Sequence, residues 1–199
     1  YPDHLGFVLG PTLMIAALLN SRRSGNGVTI DLAQIEGTAA VLGTTYLETS
    51  VNGDDPRPKG NHYALAAPHG VYRCQGEDRW CVISVRDDAE WRGFCRVIGR
   101  AELVSDARFT TLQLRLNNRA ALDAIVSEWT LARPAEEVMT KCQAAGVPAS
   151  VVQTGADLLK DPQLRHRNYF SSFPESLIGL FEIPRSGFLF KGVDISSLH

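Results

Sequence analysis

The first part of the chain is almost wholly apolar, and polar residues recur in it at no regular interval. Residues 5–19 carry no charge, and charged residues return only just before a glycine-containing turn. This pattern predicts a helix over residues 5–23 that other parts of the protein enclose on most sides. The run is shorter than the about twenty residues of a membrane span, and Gly6, Gly10 and Pro11 interrupt it. We therefore expect a buried helix and no association with a membrane.

A second apolar helix is predicted within residues 28–48, after a short extended stretch. Asp31 is suited to cap its beginning, with Gln34 three residues further on as the second member of a capping box. Residues 52–70 then form the longest break in the pattern, rich in Gly, Pro, Asn and Asp. Such a break is typical of a boundary between domains, and we place a linker at residues 54–60.

Beyond this break, β-rich segments predict a hairpin. Its strands are expected at residues 71–74 and 80–85, on either side of a turn centred on Gly76, Glu77 and Asp78. The rest of the chain mixes helical and extended patterns, which predicts an α/β or α+β fold. The expected elements are helices at 88–97, 115–129 and 134–145, a strand within 147–154, a helix over 156–167 interrupted by Pro162, and one or two short strands after residue 181.

The composition is that of an ordinary globular protein. With 44% hydrophobic residues, a net charge of −2 and a pI near 6.2, the chain gives no electrostatic reason to expect binding to nucleic acid or to an anionic membrane. The four cysteines form no CxxC pair and no cluster with histidine, so we expect reduced thiols, no metal site and a cytoplasmic location. The absence of a starting methionine suggests a processed or truncated chain.

A few residues are candidates for chemistry on the bare sequence. Asp3 is either the cap of the first apolar helix or a nucleophilic carboxylate at its positive end. His69 lies in the loop motif APHG and serves either as a hydrogen-bonding loop residue or in catalysis. Asp87, Asp88 and Glu90 are explained by capping of the helix that follows them. The chain has no GxSxG, HExxH or Walker motif.

The order of several motifs resembles family III of the CoA-transferases, also called the CaiB/BaiF family. An aspartate, an apolar helix ending in Arg-Arg and a Gly-x-Gly turn come first, and then VTIDLAQIEG, KGNHYALAAPHGVYRC, DRWCVISVRDDAEW, GVPASVV and DPQLRHRNYF. This superfamily includes carnitine CoA-transferase, formyl-CoA transferase and α-methylacyl-CoA racemase. The resemblance covers essentially all 199 residues and corresponds to the C-terminal half of a family member.

The resemblance implies that Asp3 is the catalytic aspartate. Its carboxylate would attack an acyl-CoA thioester and pass through a mixed anhydride and an aspartyl-CoA thioester, with coenzyme A or acyl-CoA as substrate and no permanently bound cofactor. Substrate-binding roles are implied for Asn61, His69, Gly70 and Asp87. The loop over residues 60–70 lacks the glycine run of formyl-CoA transferases, so an oxalate or formate specificity is not implied. A glutamate of the racemase branch lies near the position of Asp87 or Asp88, but the residue differs here.

The resemblance also implies an architecture. Residues 1–53 and 150–199 would belong to a Rossmann-like large domain whose N-terminal strands are absent, and residues 61–149 would form a small α+β domain. Two full-length chains would interlock as a homodimer, and the 199-residue chain alone would be inactive. Two alternatives stay open: an acyl-CoA racemase or isomerase, in which Asp3 would move an α-proton, and a non-catalytic dimerisation fragment.

Overall fold

The computed structural model describes residues 1–53, 57–58, 60–175, 177, 179–185 and 187. The chain divides into two compact units, Tyr1–Lys59 and Gly60–His199. The division falls within the expected linker at residues 54–60, part of which lies outside the described residues. The last part of the expected return segment, residues 188–199, also lies outside them, so the assignment of residues 150–199 to the large domain stays a prediction.

The first unit consists of three helices. They are α1 (Pro2–Ser24), α2 (Gln34–Val41) and α3 (Gly43–Asn52). The predicted first helix is confirmed, and the single helix predicted within residues 28–48 is in fact two helices that meet at Leu42. Asp31 does not cap α2, because the helix begins three residues later with Ala33 at its N-cap and no side-chain hydrogen bond.

Two glycines allow α1 and α2 to pack closely. A Cβ atom on Gly6 would lie 3.2 Å from Nε2 of Gln34, and one on Gly37 would lie 3.1 Å from Cδ1 of Leu9. The glycine at position 6, which the sequence suggested as an interruption, therefore lies at a helix–helix contact.

The expected burial of α1 is wrong for the described unit. None of its residues is buried, and large side chains such as Phe7 and Met14 are 78% and 66% exposed. The length argument against a membrane span fails as well, because α1 has 23 residues with a mean hydropathy of 1.4 over its most apolar window. By length and composition alone this helix could cross a membrane, so the expected absence of membrane association stays a prediction. An apolar surface of this size marks a site of contact with other molecules or chain segments.

The second unit is built on a three-stranded antiparallel sheet in the order β1-β2-β3. The strands are β1 (His69–Arg73), β2 (Trp80–Ser84) and β3 (Ala149–Val151). The predicted hairpin is confirmed, with its first strand starting two residues earlier than expected. β3 joins β2 across a long sequence separation, with Cys81 opposite Val151.

Helices cover this sheet and enclose the core. They are α4 (Asp88–Val97), α5 (Leu112–Asn117), α6 (Arg119–Leu131) and α7 (Ala135–Ala144), with a 3₁₀ turn at Ala101–Val104. α4 has the predicted bounds, whereas the helix predicted over residues 115–129 is broken at Asn118. Four aromatic side chains, of which three are fully buried, pack edge to face or offset in the core: Trp91, Phe94, Phe109 and Trp129.

The rest of the second unit contains two short helices and a separate hairpin. The helices are α8 (Gly155–Leu158) and α9 (Pro162–His166), and the antiparallel strands are β4 (Phe170–Glu175) and β5 (Gly179–Pro184). Arg79 after the β1–β2 turn ties this region to the core, because its guanidinium pairs with Asp157 at 2.7 Å and with Glu136 on α7. The mixture of helices and strands agrees with the expected fold class. All strand pairs among the described residues are antiparallel, so the Rossmann-like part and the interlocked dimer stay predictions.

Candidate functional site

Asp3 lies in the first turn of α1 and is exposed to solvent. Its interpretation as an N-cap is wrong, because α1 begins at Pro2 and the N-cap position is Tyr1. Asp3 is the second residue of the helix, where the first backbone N–H groups have no partner within the helix. The helix dipole also interacts favourably with the charge of its carboxylate. Asp3 is therefore accessible for a reaction and lies next to donors that can stabilise negative charge.

His69 is the first residue of β1 and lies directly opposite Ser84 in the β1–β2 register. Its Nδ1 atom is 2.9 Å from Oγ of Ser84, and its ring centroid is 5.4 Å from that of Tyr63. The half-buried imidazole is thus held by a residue on the neighbouring strand. No signal for this pairing is present in the sequence, since the pairing depends on the register of the hairpin.

A cavity of about 280 Å³ opens between β1, α6 and the loop before β1. Three of the four residues expected to bind substrate share it, so residues that are up to nine positions apart in the sequence meet at one place. The lining consists of Asn61, His62, His69, Gly70, Val71, Tyr72, Asp123 and Ser127.

Tyr72 and Asp123 were not singled out from the sequence, yet they form one wall of this cavity. The Tyr72 hydroxyl donates a hydrogen bond of 2.7 Å to Oδ1 of Asp123 on α6. The pKa of Tyr72 is raised far above its usual range. Burial is the largest cause, and this hydrogen bond is the second. The tyrosine ring also explains Gly70, because a Cβ atom there would lie 3.1 Å from the ring and its hydroxyl.

Asp87 is not among the residues that line this cavity. It is the N-cap of α4, and its Oδ1 accepts a hydrogen bond of 2.8 Å from the backbone N–H of Glu90. The carboxylate of Glu90 in turn accepts from the backbone N–H of Arg86 at 2.6 Å. Helix capping, which the sequence favoured for these acids, is confirmed for Asp87, and its role in substrate binding stays a prediction.

Arg115 supports the loop that leads to His69. The side chain is fully buried, donates to the carbonyl oxygens of Ala67 and Phe109, and lies over the ring of Trp91. Burial lowers the pKa of this guanidinium, and Asp88 partly opposes that effect. Arginine is usually a surface residue, and nothing in the surrounding sequence LQLRLNNR marks Arg115 as buried. Its role is therefore visible only in the structure.

The four cysteines are buried and unpaired. Burial raises the pKa of Cys95 to about 12 and that of Cys142 to about 11, so both thiols stay protonated at neutral pH. Across the ranges that the structure describes, no three His, Cys, Asp or Glu side chains are grouped so as to hold a metal ion. We assign the cysteines to packing of the core.

The fold of this chain is shared with a protein of the CaiB/BaiF family. The structure matches a CaiB/BaiF family protein from Brucella suis with a TM-score of 0.80 and 27% sequence identity, over 92% of this chain and 47% of that one. The model of CoA-transferase family III matches residues 1–196. The chain therefore belongs to CoA-transferase family III, as the motif order indicated.

Two curated relatives show how the chain corresponds to longer proteins. The "Probable CoA-transferase Rv1866" of Mycobacterium tuberculosis is 37% identical over 89% of this chain and 22% of its own length. The succinyl-CoA–D-citramalate CoA-transferase of Chloroflexus aurantiacus is 28% identical over 91% of this chain and 45% of its own length. The chain thus spans less than half the length of these two relatives.

Proposed function

We propose that this protein transfers coenzyme A between an acyl-CoA thioester and a carboxylic acid, with Asp3 as the nucleophile. The observation that carries the proposal is the position of Asp3, exposed in the first turn of α1, in a chain that the family model matches over residues 1–196. Relatives named as CoA-transferases support the reaction class.

The first half of the reaction moves coenzyme A onto the protein. A carboxylate oxygen of Asp3 attacks the thioester carbonyl carbon, the carbon–sulfur bond breaks, and the CoA thiolate leaves behind a mixed anhydride. The thiolate then attacks the aspartyl carbonyl of the anhydride and releases the first acid as its carboxylate. The product is an aspartyl-CoA thioester, and no proton or electron has been gained or lost.

The second half repeats these steps with the acceptor. The acceptor carboxylate attacks the aspartyl-CoA carbonyl, and the thiolate that leaves attacks the acyl carbonyl of the new anhydride. This forms the new acyl-CoA and restores the Asp3 carboxylate. Each attack places negative charge on a carbonyl oxygen, which the N–H groups of the first turn of α1 are suited to stabilise.

The proposed acyl groups are those of short dicarboxylic acids. Citramalate and succinate, named for the Chloroflexus relative, are dicarboxylic acids. The same holds for relatives named after succinate and glutarate, and after oxalate. We therefore take succinyl-CoA as the first donor to test.

Covalent capture tests the nucleophile directly. The protein is mixed with succinyl-CoA, quenched rapidly, and examined by intact-mass and peptide mass spectrometry. We expect a CoA adduct on the peptide that contains Asp3, lost in Asp3→Asn and kept in Asp31→Asn, an exposed aspartate of the same unit. An adduct that survives Asp3→Asn would overturn the assignment, and deuterium uptake at the α-carbon without CoA exchange would favour the racemase instead.

The assembly and surroundings of the enzyme are also proposals. An interlocked homodimer is supported by the exposed apolar surface of α1 to α3 together with the family resemblance. A cytoplasmic location, without nucleic acid or an anionic membrane surface as a partner, is supported by the net charge of −2 and the free, buried cysteines. Sedimentation of the protein over a range of concentrations tests the dimer.

A further inference from the structure

The walls of the cavity beside β1 are fixed from two sides. On one side His69 is hydrogen-bonded to Ser84 of β2, and on the other Tyr72 is hydrogen-bonded to Asp123 of α6. Gly70 lies between these anchored residues, with the Tyr72 ring against it. A cavity whose side chains are held in this way loses little conformational freedom when a ligand enters.

The hydrogen bond to Ser84 decides which atom His69 offers to a ligand. When Nδ1 accepts the hydrogen bond from the Ser84 hydroxyl, the proton of the neutral imidazole is on Nε2, and Nε2 is then the nitrogen that donates to a ligand. Within the described residues no hydrogen bond is formed by Nε2. His69 itself lines the cavity.

The other lining groups suit an anionic oxygen ligand. Asn61, His62 and Ser127 can each donate a hydrogen bond. Asp123 is the acidic member of the lining, and it accepts the hydrogen bond from Tyr72. Arg119 lies one turn before Asp123 on α6 and therefore on the same face of the helix, and its buried Nε atom has no partner among the described residues.

We propose that this cavity binds a carboxylate of a short dicarboxylic acid, with Nε2 of His69 as a donor and Ser84 as the positioning residue that holds the imidazole. The ligand class rests on the proposed function, since it is the substrate class inferred there. Ser84 acts through His69 and does not line the cavity itself.

Nuclear magnetic resonance of the imidazole nitrogens tests the site without relying on catalysis. The 199-residue chain is labelled with ¹⁵N-histidine, the His69 signals are assigned with His69→Asn, and succinate is added at constant ionic strength and pH. Succinamide, the uncharged analogue, and chloride serve as controls. We expect a saturable shift of the His69 signals with succinate and none with succinamide or chloride.

Variants at Ser84 separate positioning from general stability. Ser84→Ala removes the hydroxyl that holds the ring, so we expect succinate to bind about tenfold more weakly and the Nδ1 signal to move without ligand. Ser84→Thr keeps the hydroxyl and should bind within about threefold of the original protein. Ser150→Ala, at the exposed position of β3, is the matched control and should change neither quantity.

The resonance titration and the covalent capture together separate failure of this site from failure of the proposed function. Equal shifts with succinate, succinamide and chloride, or no shift at all, would overturn the site. A CoA adduct on Asp3 together with an unresponsive His69 would leave the proposed function standing and the site refuted. A specific His69 shift together with an adduct that survives Asp3→Asn would support the site and overturn the assignment of Asp3 as the nucleophile.

Discussion

Nε of Arg115 donates a hydrogen bond of 3.0 Å to the carbonyl oxygen of Ala67, 48 residues earlier in the chain. The same guanidinium donates to the carbonyl oxygen of Phe109 at 3.1 Å. One buried side chain thus connects α5 with the loop before β1 and with the loop after the 3₁₀ turn. The position of His69, two residues after Ala67, depends on this connection.

Replacement of Arg115 is expected to lower the stability of the second unit. Arg115→Met leaves two carbonyl oxygens without their donor and should lower the free energy of unfolding by about 3 kcal/mol. Asp88→Asn is the control, because the Asp88 side chain is 64% exposed and its contact with Arg115 is long, at 3.3 Å. That change should cost less than about 1 kcal/mol. Urea unfolding followed by tryptophan fluorescence measures both, and equal losses would contradict the role given to Arg115.

Gly93 on α4 lies against the residue that follows α7, Ala145. A Cβ atom there would lie 2.7 Å from the backbone oxygen of Ala145, which cannot move without shifting the chain. We expect Gly93→Ala to destabilise the protein by about 2 kcal/mol despite its better helix propensity. Gly27→Ala, where the added atom meets nothing within 4 Å, should change stability little. Thermal unfolding of the two variants compares them, and a stabilised Gly93→Ala would refute the close contact.

The raised pKa of Tyr72 leads us to expect a loss of stability in alkaline solution. Its pKa in the folded protein is raised above the ordinary value of about 10, through burial and then the hydrogen bond to Asp123. Above pH of about 10 the unfolded chain loses this proton and the folded protein keeps it, so stability falls as the pH rises. Tyr72→Phe should remove this part of the pH dependence and cost about 1 kcal/mol at neutral pH through the lost hydrogen bond. Denaturation curves from neutral to alkaline pH measure both effects, and an unchanged alkaline slope in the variant would count against them.

The lowered pKa of Asp157 leads us to expect that the attachment of α8 is weakened in acid. Hydrogen bonds from the backbone N–H of Thr154, then from Arg79 and the Thr154 hydroxyl, lower the pKa of this carboxyl to about 2. A lowered pKa stabilises the folded form above the unfolded value of about 3.9, and that contribution is lost as the pH falls through about 2. Asp157→Asn should mimic the acid state at neutral pH and raise amide hydrogen exchange in residues 154–159. Asp106→Asn, which removes an ion pair with nearby Arg108, should leave exchange there unchanged.

Local signals in the sequence were sufficient for some elements. α4 has the predicted bounds because a capping aspartate, Asp87, precedes a strongly amphipathic segment. The β1–β2 hairpin was predictable because β-rich runs flank a turn in which Gly76 has a positive φ of 110°. In both cases residues within fifteen positions of one another determine the structure.

Other features depend on distant residues and could not be predicted in this way. The cavity forms because the register of β1 and β2 places His69 beside Ser84, and because α6 brings Asp123 to Tyr72, 51 residues away. Arg115 is buried because carbonyl oxygens of two separate loops converge on it. Asp3 was found through the resemblance to a family, since the pattern alone favoured a capping role that the structure does not show.

The order of the three-stranded sheet has a mechanical consequence. β1 and β3 both run antiparallel to the central β2, so they point in the same direction at opposite edges of the sheet. A force that pulls the start of β1 away from the end of β3 therefore acts along the strands and strains the hydrogen bonds of each strand pair together. Loading in shear of this kind resists extension better than peeling bonds apart one at a time, so the sheet is suited to transmit tension between the segments that enter and leave it.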